Sequence, residues 1–259
     1  MIFIDSQKVK IKGHVVSSWV VPSGIYPQSS SDQMDTVAPA ACATPFPLPW
    51  VSTSDAYNAV LEKKYSNYTE KYWESRVMAP SSLLFYIGVN KRVSNLLHHN
   101  LFFDEDFNQH AIDIYDHPAW PEKPLIYVSV PSLTDDTLAP EGFENLFILI
   151  TLAPGLDDND EKRAFYFDLV MNRLEKLTGQ DINKHIIFKR SYAHRDFITD
   201  YHAFKGNAYG LANTLLQTAF LKPKLRNKNI SNFFFTGQLT TPGPGVPPSL
   251  ISGEVVAKE

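Results

Sequence analysis

Short runs of β-branched and aromatic residues, separated by polar segments, predict strands over most of the chain. The predicted strands are Ser82–Asn90, the second half of Leu96–Asp104, Pro124–Val130, Asn145–Thr151, His185–Arg190 and Phe233–Phe235. Between two of them, Thr134–Gly142 contains the Asp, Pro and Gly residues that favour a turn. The pattern therefore predicts a protein whose core contains a sheet.

A helix is predicted from Asp158 to Leu177, between two of these strands. Phe167, Val170, Leu174 and Leu177 fall on one face, and Gly179 supplies the stop. Acidic residues gather at the N-terminal end, namely Asp157, Asp158 and Asp160. Strand, helix and strand thus follow one another, with more strands beside them. The predicted fold class is α/β (α+β mixed), with a mixed sheet that is covered by helices.

The first 50 residues follow a different pattern. Met1–Ile4 and Val9–Val16 predict a hairpin, and Val20–Trp50 is rich in Pro, Ser and Ala without a regular period. Beyond this segment, a helix is predicted from Ser54 or Asp55 to about Lys64. We therefore treat residues 1–50 as an unassigned Pro/Ser-rich segment.

Composition excludes several classes of protein. The chain has 259 residues, 44% hydrophobic and 20% charged, which is enough for a sizeable core. A formal net charge of -4 argues against nucleic-acid binding, which requires a basic face. The single Cys42 excludes an intrachain disulfide and fits a reducing, cytoplasmic compartment. No apolar run is long enough for a membrane span.

The segment after Phe233–Phe235 is predicted to form a Gly-rich turn and then a helix. Gly237 ends the strand, Gly243 and Gly245 bracket a proline, and two further prolines open a helix that continues to Ala257. A helix N-terminus behind such a turn offers N–H groups and a positive dipole end, which suit the electron-rich edge of a cofactor. From the residues alone, an ordinary tight turn is the alternative.

Two blocks resemble the phytoene desaturase family, whose members are FAD-dependent, amine oxidase-like carotenoid desaturases. The first is the C-terminal Asn-x-aromatic-aromatic-x-Gly followed by Thr-Pro-Gly-x-Gly-Val, found here from Asn232 to Val246. The second is Gly206-Asn-Ala-Tyr-Gly-Leu211, followed by Thr214-Leu-Leu-Gln217. The resemblance covers Val51 to Glu259 and identifies the chain as the C-terminal portion of such an enzyme.

The resemblance implies FAD as cofactor and a phytoene-like polyene as substrate, from which the flavin accepts a hydride. It places six residues against the flavin: Gly237, Gln238, Gly243, Gly245, Val246 and Pro247. It also places Tyr209 and Gly210 beside the reacting carbon, although core packing explains Tyr209 equally well. No catalytic residue is identified. A carotenoid isomerase, another flavin-dependent polyene enzyme and a non-catalytic fragment that does not hold FAD remain alternatives.

The family's dinucleotide-binding Gly-x-Gly-x-x-Gly does not occur in this sequence. We therefore expect the N-terminal FAD-binding half to be absent, residues 51–200 to form a substrate-binding domain, and residues 201–259 to form the flavin-contacting part of the FAD domain. Because polyenes dissolve in bilayers, we also expect a peripheral membrane contact. Leu215–Lys228 is the candidate, since it combines apolar residues with Lys222, Lys224, Arg226 and Lys228.

Three other groups of residues carry weaker indications of chemistry. His98 and His99 invite a metal site, but no second cluster has ligand spacing, so we expect one buried and one exposed histidine and no bound metal. Asp135 and Asp136 are expected to serve a turn rather than acid–base chemistry. Ser249 and Ser252 lie in the C-terminal helix without a Gly-x-Ser-x-Gly nucleophile elbow, so no serine chemistry is expected.

Overall fold

The computed structural model describes residues 62–259 and the backbone of three earlier strands, β1 (Ile2–Ile4), β2 (Val9–Ile11) and β3 (His14–Val16). The Pro-rich segment and most of the helix predicted before Lys64 lie outside the described residues. Residues 62–79 and 196–259, together with the three early strands, belong to one compact unit, and residues 80–195 form another. The predicted domain limits at residues 50 and 200 stay predictions.

The unit of residues 80–195 is built on a five-stranded sheet. Its strands are β4 (Ser81–Val89), β5 (His99–Phe102), β6 (Ile126–Ser129), β7 (Glu144–Leu152) and β8 (Ile186–Tyr192). Their order across the sheet is β5-β6-β7-β4-β8. Each of these five strands is predicted by its run of β-branched and aromatic residues. The first half of Leu96–Asp104 is predicted as a short helix that leads into β5, but it is irregular in the structure, so that prediction is wrong.

Every pairing in this sheet is antiparallel, so the predicted mixed sheet is corrected for the described residues. The reason lies in the strand order. β7 and β8 are joined through a helix and run in the same direction, but they flank β4 instead of lying side by side. The crossover therefore creates no parallel ladder.

Five α-helices belong to the described part of the chain. They are α1 (Glu70–Glu74), α2 (Phe107–Tyr115), α3 (Asp160–Thr178), α4 (His194–Tyr201) and α5 (Val246–Ala257). The sequence pattern predicts α3 and α5. Phe167, Val170 and Leu174 of α3 are buried in the core cluster of the sheet, as their spacing predicts. Leu177, which is predicted on the same face, is 43% exposed in the last turn of the helix, so its predicted burial is wrong. Gly179 ends α3 in the left-handed conformation at φ 70°.

Asp158 does not serve the N-terminal end of α3 in the way that the sequence suggests. The capping residue is Asn159, whose side chain accepts a hydrogen bond from the N–H of Lys162. Asp158 is buried instead and receives two hydrogen bonds from the Arg163 guanidinium, at 2.7 and 2.5 Å, and one from the N–H of Arg195 at 2.9 Å. It is therefore part of a buried ion pair.

In the other unit, β1 pairs with the strand β9 (Phe233–Phe235), and Ile2 lies opposite Phe235. The predicted hairpin between Met1–Ile4 and Val9–Val16 is therefore wrong: β2 pairs with β3, and β1 is the partner of a strand more than two hundred residues away. Sequence patterns report that a segment is extended, but they carry no information about a distant partner.

The core of this unit is a cluster of buried apolar side chains on the segments around β9. Its members are Trp73, Met78, Leu211, Phe233, Phe235 and Leu239. The rings of Phe233 and Phe235 meet edge to face, with their centroids 5.1 Å apart. The strand β9, which precedes the Gly-rich turn, is thus packed into the core of this unit.

Candidate functional site

The segment after β9 forms the Gly-rich turn that the sequence predicts. Thr240 donates through its backbone N–H and its hydroxyl to the Gly237 carbonyl, at 3.0 and 2.8 Å. The Gly237 N–H donates to the hydroxyl of Ser252, which is buried in α5, at 2.9 Å. These bonds fasten the turn to the helix that follows, so Ser252 has a structural contact at this position.

Gly243 and Gly245 adopt backbone conformations that side chains rarely allow, with φ 138° and φ 114°. Gly243 is buried, whereas Gly245, Val246 and Pro247 are exposed at the start of α5. The helix begins at Val246, and prolines occupy its first turn, as the sequence predicts. Gly245 therefore presents exposed backbone immediately before a helix N-terminus.

This helix N-terminus has few free N–H donors. Of the residues in its first turn, Pro247 and Pro248 have no N–H, and the N–H of Ser249 already bonds the Gly245 carbonyl at 3.0 Å. The N–H of Val246 is the one that remains among these four helical residues. The helix dipole still favours a negative group here, but hydrogen bonds to such a group must come mostly from elsewhere.

The two blocks that resemble the desaturase family lie against each other. Gly210 is buried at φ 79°, and a Cβ added to it would lie 2.6 Å from Leu239 Cδ2 and 3.6 Å from Gln238 Cγ. Gly210 is therefore required for this close approach. Its N–H is held by Asn207 Oδ1 at 2.6 Å, and its carbonyl accepts from the N–H of Ala79 at 2.8 Å.

The structure thus brings Gly210, an expected substrate residue, close to Gln238, an expected flavin residue. Tyr209, next to Gly210, is 44% exposed, so it is not part of the closed core. Gln238 is half-buried. The contact between the blocks is a geometric finding, and the assignment of these residues to a flavin or a substrate stays a prediction.

Lys222 is a residue that the sequence reading misplaces. It is expected on an exposed, membrane-facing surface, yet its exposed fraction is 3%. Its Nζ has no hydrogen-bond partner in the part of the chain that the structure describes. Burial lowers the pKa of the Lys222 ammonium.

The Lys222 side chain runs beneath the Gly-rich turn. A Cβ added to Gly243 would lie 3.3 Å from Lys222 Cε and 3.6 Å from its Nζ. The preceding one-turn helix, Ala219–Leu221, is tied to the turn because the Thr241 hydroxyl donates to the Ala219 carbonyl at 3.0 Å. A basic residue just before Pro223 in a loop gives no periodic signal, so the sequence alone does not reveal this position.

The other candidates have ordinary structural contacts. His98 is half-buried and His99 is exposed, so the expected buried histidine is wrong. The two bind Thr134 and Tyr127, each at 2.6 Å. Asp135 accepts from the N–H and the hydroxyl of Thr137, as its turn requires. No cluster of His, Cys, Asp or Glu with metal-binding geometry is found among the described residues.

The chain is similar in sequence to curated carotenoid-pathway enzymes, whereas no protein-family model matches it. It is 46% identical over 191 residues to a carotenoid 3,4-desaturase of Haloarcula japonica, covering 74% of this chain. It is 30% identical over 210 residues to a zeta-carotene-forming phytoene desaturase of Myxococcus xanthus, covering 78% of this chain. A 4,4'-diaponeurosporene oxygenase of Staphylococcus haemolyticus is 31% identical over 191 residues, covering 73% of this chain.

These matches cover 39% of the length of each of the two desaturases and 37% of the oxygenase, so the chain spans about two fifths of the curated relatives. The resemblance stated from the two Gly-containing blocks is confirmed by these matches. The chain is therefore similar to carotenoid and phytoene desaturases over a part of their length.

Proposed function

We propose that this chain forms the flavin-contacting and substrate-contacting part of an FAD-dependent carotenoid desaturase. The observation that carries the proposal is the similarity to a carotenoid desaturase, 46% identity over 191 residues. The close packing of Gly210 on Gln238 and Leu239 supports it, because residues of the two signature blocks lie in contact.

The residues of the turn fit a flavin. Gly245 gives close access to backbone, and the unpaired Lys222 beside Gly243 suits an electron-rich group. FAD, when bound, supplies the acceptor for a hydride that leaves the polyene. We assign Gly237, Gln238, Gly243, Gly245, Val246 and Pro247 to the flavin contact.

The chain's own residues bind and orient the two reactants. The turn after β9 shapes the flavin side, and Tyr209 and Gly210 border the polyene. Desaturation removes a hydride from one carbon and a proton from its neighbour, which creates a carbon–carbon double bond. No side chain of the described residues is assigned as the proton acceptor, so the proposal concerns positioning and enclosure.

A second candidate reaction is favoured by one of the relatives, since the similar Staphylococcus haemolyticus protein is named an oxygenase. In that case the same site would place oxygen on the polyene instead of extending its double bonds. The two reactions leave different products: desaturation removes two hydrogens, whereas oxygenation adds oxygen.

The experiment uses the complete protein to which these residues belong, loaded with FAD and given phytoene or a related carotenoid in phospholipid vesicles. We expect products that have lost pairs of hydrogens, measured by mass spectrometry, and an absorption band that moves to longer wavelength as conjugation grows. Oxygen-containing products would establish the second candidate. Flavin-loaded protein that leaves every carotenoid unchanged would contradict both candidate reactions.

We also propose that the protein meets its substrate at a membrane surface. None of the helices in the described part is long and apolar enough to cross a bilayer. Leu215, Leu216 and Phe220 are 90%, 78% and 85% exposed. Lys224 and Arg226 are exposed on the same segment, a combination that suits a shallow contact with anionic lipid.

A further inference from the structure

Lys222 is buried without the partner that a buried ammonium requires. Its exposed fraction is 3%, and Nζ makes no hydrogen bond within the described part of the chain. Burying a charge is costly unless it is paired and hydrogen-bonded. In the protein alone, this side chain therefore destabilises the fold or loses its proton.

The position of Lys222 is determined by the same turn that carries the family signature. Gly243 lacks a side chain at the point where Lys222 Cε and Nζ pass, at 3.3 and 3.6 Å from a would-be Cβ. The tie from Thr241 to Ala219 holds the segment in front of Lys222 against the turn. The Lys222 amine thus lies next to the Gly243 backbone.

The helix that follows the turn, α5, offers few hydrogen-bond donors to a negative group bound at its N-terminus. Its first turn contains Pro247 and Pro248, so it contributes a dipole but few N–H donors. An anionic group bound over the turn would need donors from another source. The three N–H bonds of a lysine ammonium supply them, and charge-assisted bonds are about twice as strong as neutral ones.

We propose that Lys222 is a binding residue of the cofactor site, whose ammonium pairs with an anionic group of the bound flavin nucleotide. This inference rests on the proposed function and adds a residue that the family signature does not contain. Burial lowers the pKa of Lys222 in the protein alone, and an anionic partner would favour the charged form again. A bound anionic group would thus give the unpaired Lys222 amine a partner.

Two groups of the cofactor carry the required charge: the reduced flavin ring and the phosphates. The experiment replaces Lys222 by Met in the complete protein, because Met keeps the length of the side chain and removes its charge. Lys224→Met is the matched control, since Lys224 lies two residues away but is exposed. Lys222→Arg restores the charge.

Dissociation constants are measured by fluorescence quenching for FAD, FMN and riboflavin, and the midpoint potential of the bound flavin is measured by titration. We expect Lys222→Met to weaken FAD binding by roughly tenfold or more, Lys224→Met to leave it unchanged, and Lys222→Arg to recover much of it. The melting temperature of the flavin-free Lys222→Met variant should equal or exceed that of the wild type, because an unpaired buried charge is removed.

The pattern of affinities and midpoint potentials shows which cofactor group carries the negative charge that pairs with Lys222. If it is a phosphate, riboflavin binding is unaffected by Lys222→Met and the potential does not move. If it is the reduced ring, riboflavin and FAD both respond and the potential falls. Equal affinity and equal potential in wild type and Lys222→Met would overturn the inference while leaving the proposed function intact. A wild-type protein that binds no flavin would overturn both.

Discussion

Asp157 and Asp158 are neighbours in the sequence, yet their surroundings differ sharply. The Asp157 carboxylate is 77% exposed and pairs with Lys162 at 3.1 Å. The Asp158 carboxylate is 1% exposed and is held by Arg163. Burial acts to raise the pKa of Asp158, but the bonds from Arg163 and from the N–H of Arg195 outweigh it, and the pKa is lowered. A single step along the chain thus separates a surface contact from a core one.

We predict that Asp158→Ala destabilises the protein by about 3 kcal/mol, because it removes the carboxylate that neutralises the buried Arg163 guanidinium. The matched variant Asp157→Ala should cost less than about 1 kcal/mol, since exposed ion pairs contribute little. Urea unfolding measures both free energies. Equal effects of the two variants would contradict the buried-pair interpretation.

His194 is another buried titratable group of the same region. Its Nε2–H donates to the Ala153 carbonyl at 2.8 Å, and its exposed fraction is 2%. Burial lowers its pKa, and the nearby Arg163 also acts in that direction. The folded protein therefore binds a proton at His194 less readily than the unfolded chain does.

This difference predicts a pH dependence. As the pH falls below about 6.5, the unfolded chain takes up a proton that folded His194 resists, so the free energy of unfolding decreases. Above that pH the effect is absent.

His194→Gln, which keeps an N–H donor for Ala153, should flatten the pH dependence of the free energy of unfolding. Denaturant unfolding between about pH 7.5 and pH 5.5 measures it, on either side of the usual histidine pKa. The exposed His117→Gln serves as control, and an identical slope in wild type and His194→Gln would rule the prediction out.

At the scale of elements, the sequence predicts what local patterns control. The strands of the sheet, β9, α3 and α5 are predicted because apolar periodicity and Gly or Pro positions are local signals. The short helices α1, α2 and α4 are not predicted, since their apolar faces are brief and mostly exposed. Strand partners, such as β1 with β9, depend on tertiary contacts that no local pattern encodes.

The candidate site shows the same difference between local signals, which the sequence carries, and tertiary contacts, which it does not. Gly210, Gly243 and Gly245 are singled out in the sequence, and the structure gives each a positive φ. Their mutual placement, and the buried Lys222 beneath Gly243, come from the packing of loops. Loop residues carry no periodicity, so burial there is visible only in the folded molecule.

Two glycines of this unit should respond in opposite ways to alanine. Gly210→Ala places a Cβ 2.6 Å from Leu239 at φ 79°, so we expect a loss of about 1–3 kcal/mol in unfolding free energy. Gly253 lies in α5 with nothing within 4 Å of a would-be Cβ. Gly253→Ala should stabilise by about 0.5–1 kcal/mol, because alanine loses less backbone entropy in a helix. Thermal or urea unfolding tests both, and stabilisation by Gly210→Ala would contradict the close packing of the two blocks.

At the scale of the whole molecule, charge and apolar exposure meet on one segment, Leu215–Lys228. Burial removes Lys222 from this surface, which leaves Lys224, Arg226 and Lys228 as its exposed basic residues. The exposed Leu215, Leu216 and Phe220 precede them along the chain. An exposed apolar group next to basic residues is a typical feature of proteins that bind the surface of an anionic bilayer.

The last prediction tests this surface. Each basic residue near an anionic membrane contributes on the order of 1 kcal/mol, so reversing Lys224, Arg226 and Lys228 to Glu should weaken binding to anionic vesicles by a hundredfold or so. Replacing Leu215 and Phe220 by Ser should weaken it further by removing the apolar contact. Co-sedimentation with vesicles that contain phosphatidylserine measures binding.

The matched control reverses three other exposed lysines, Lys123, Lys176 and Lys184, which lie in the unit of residues 80–195. It changes the total charge of the protein by the same amount as the reversal of Lys224, Arg226 and Lys228. If attraction depended only on total charge, the two triple variants would bind equally. Because the apolar residues accompany only one set, we expect the control to keep most of its binding. Equal losses in both variants would show that Leu215–Lys228 is not the docking surface.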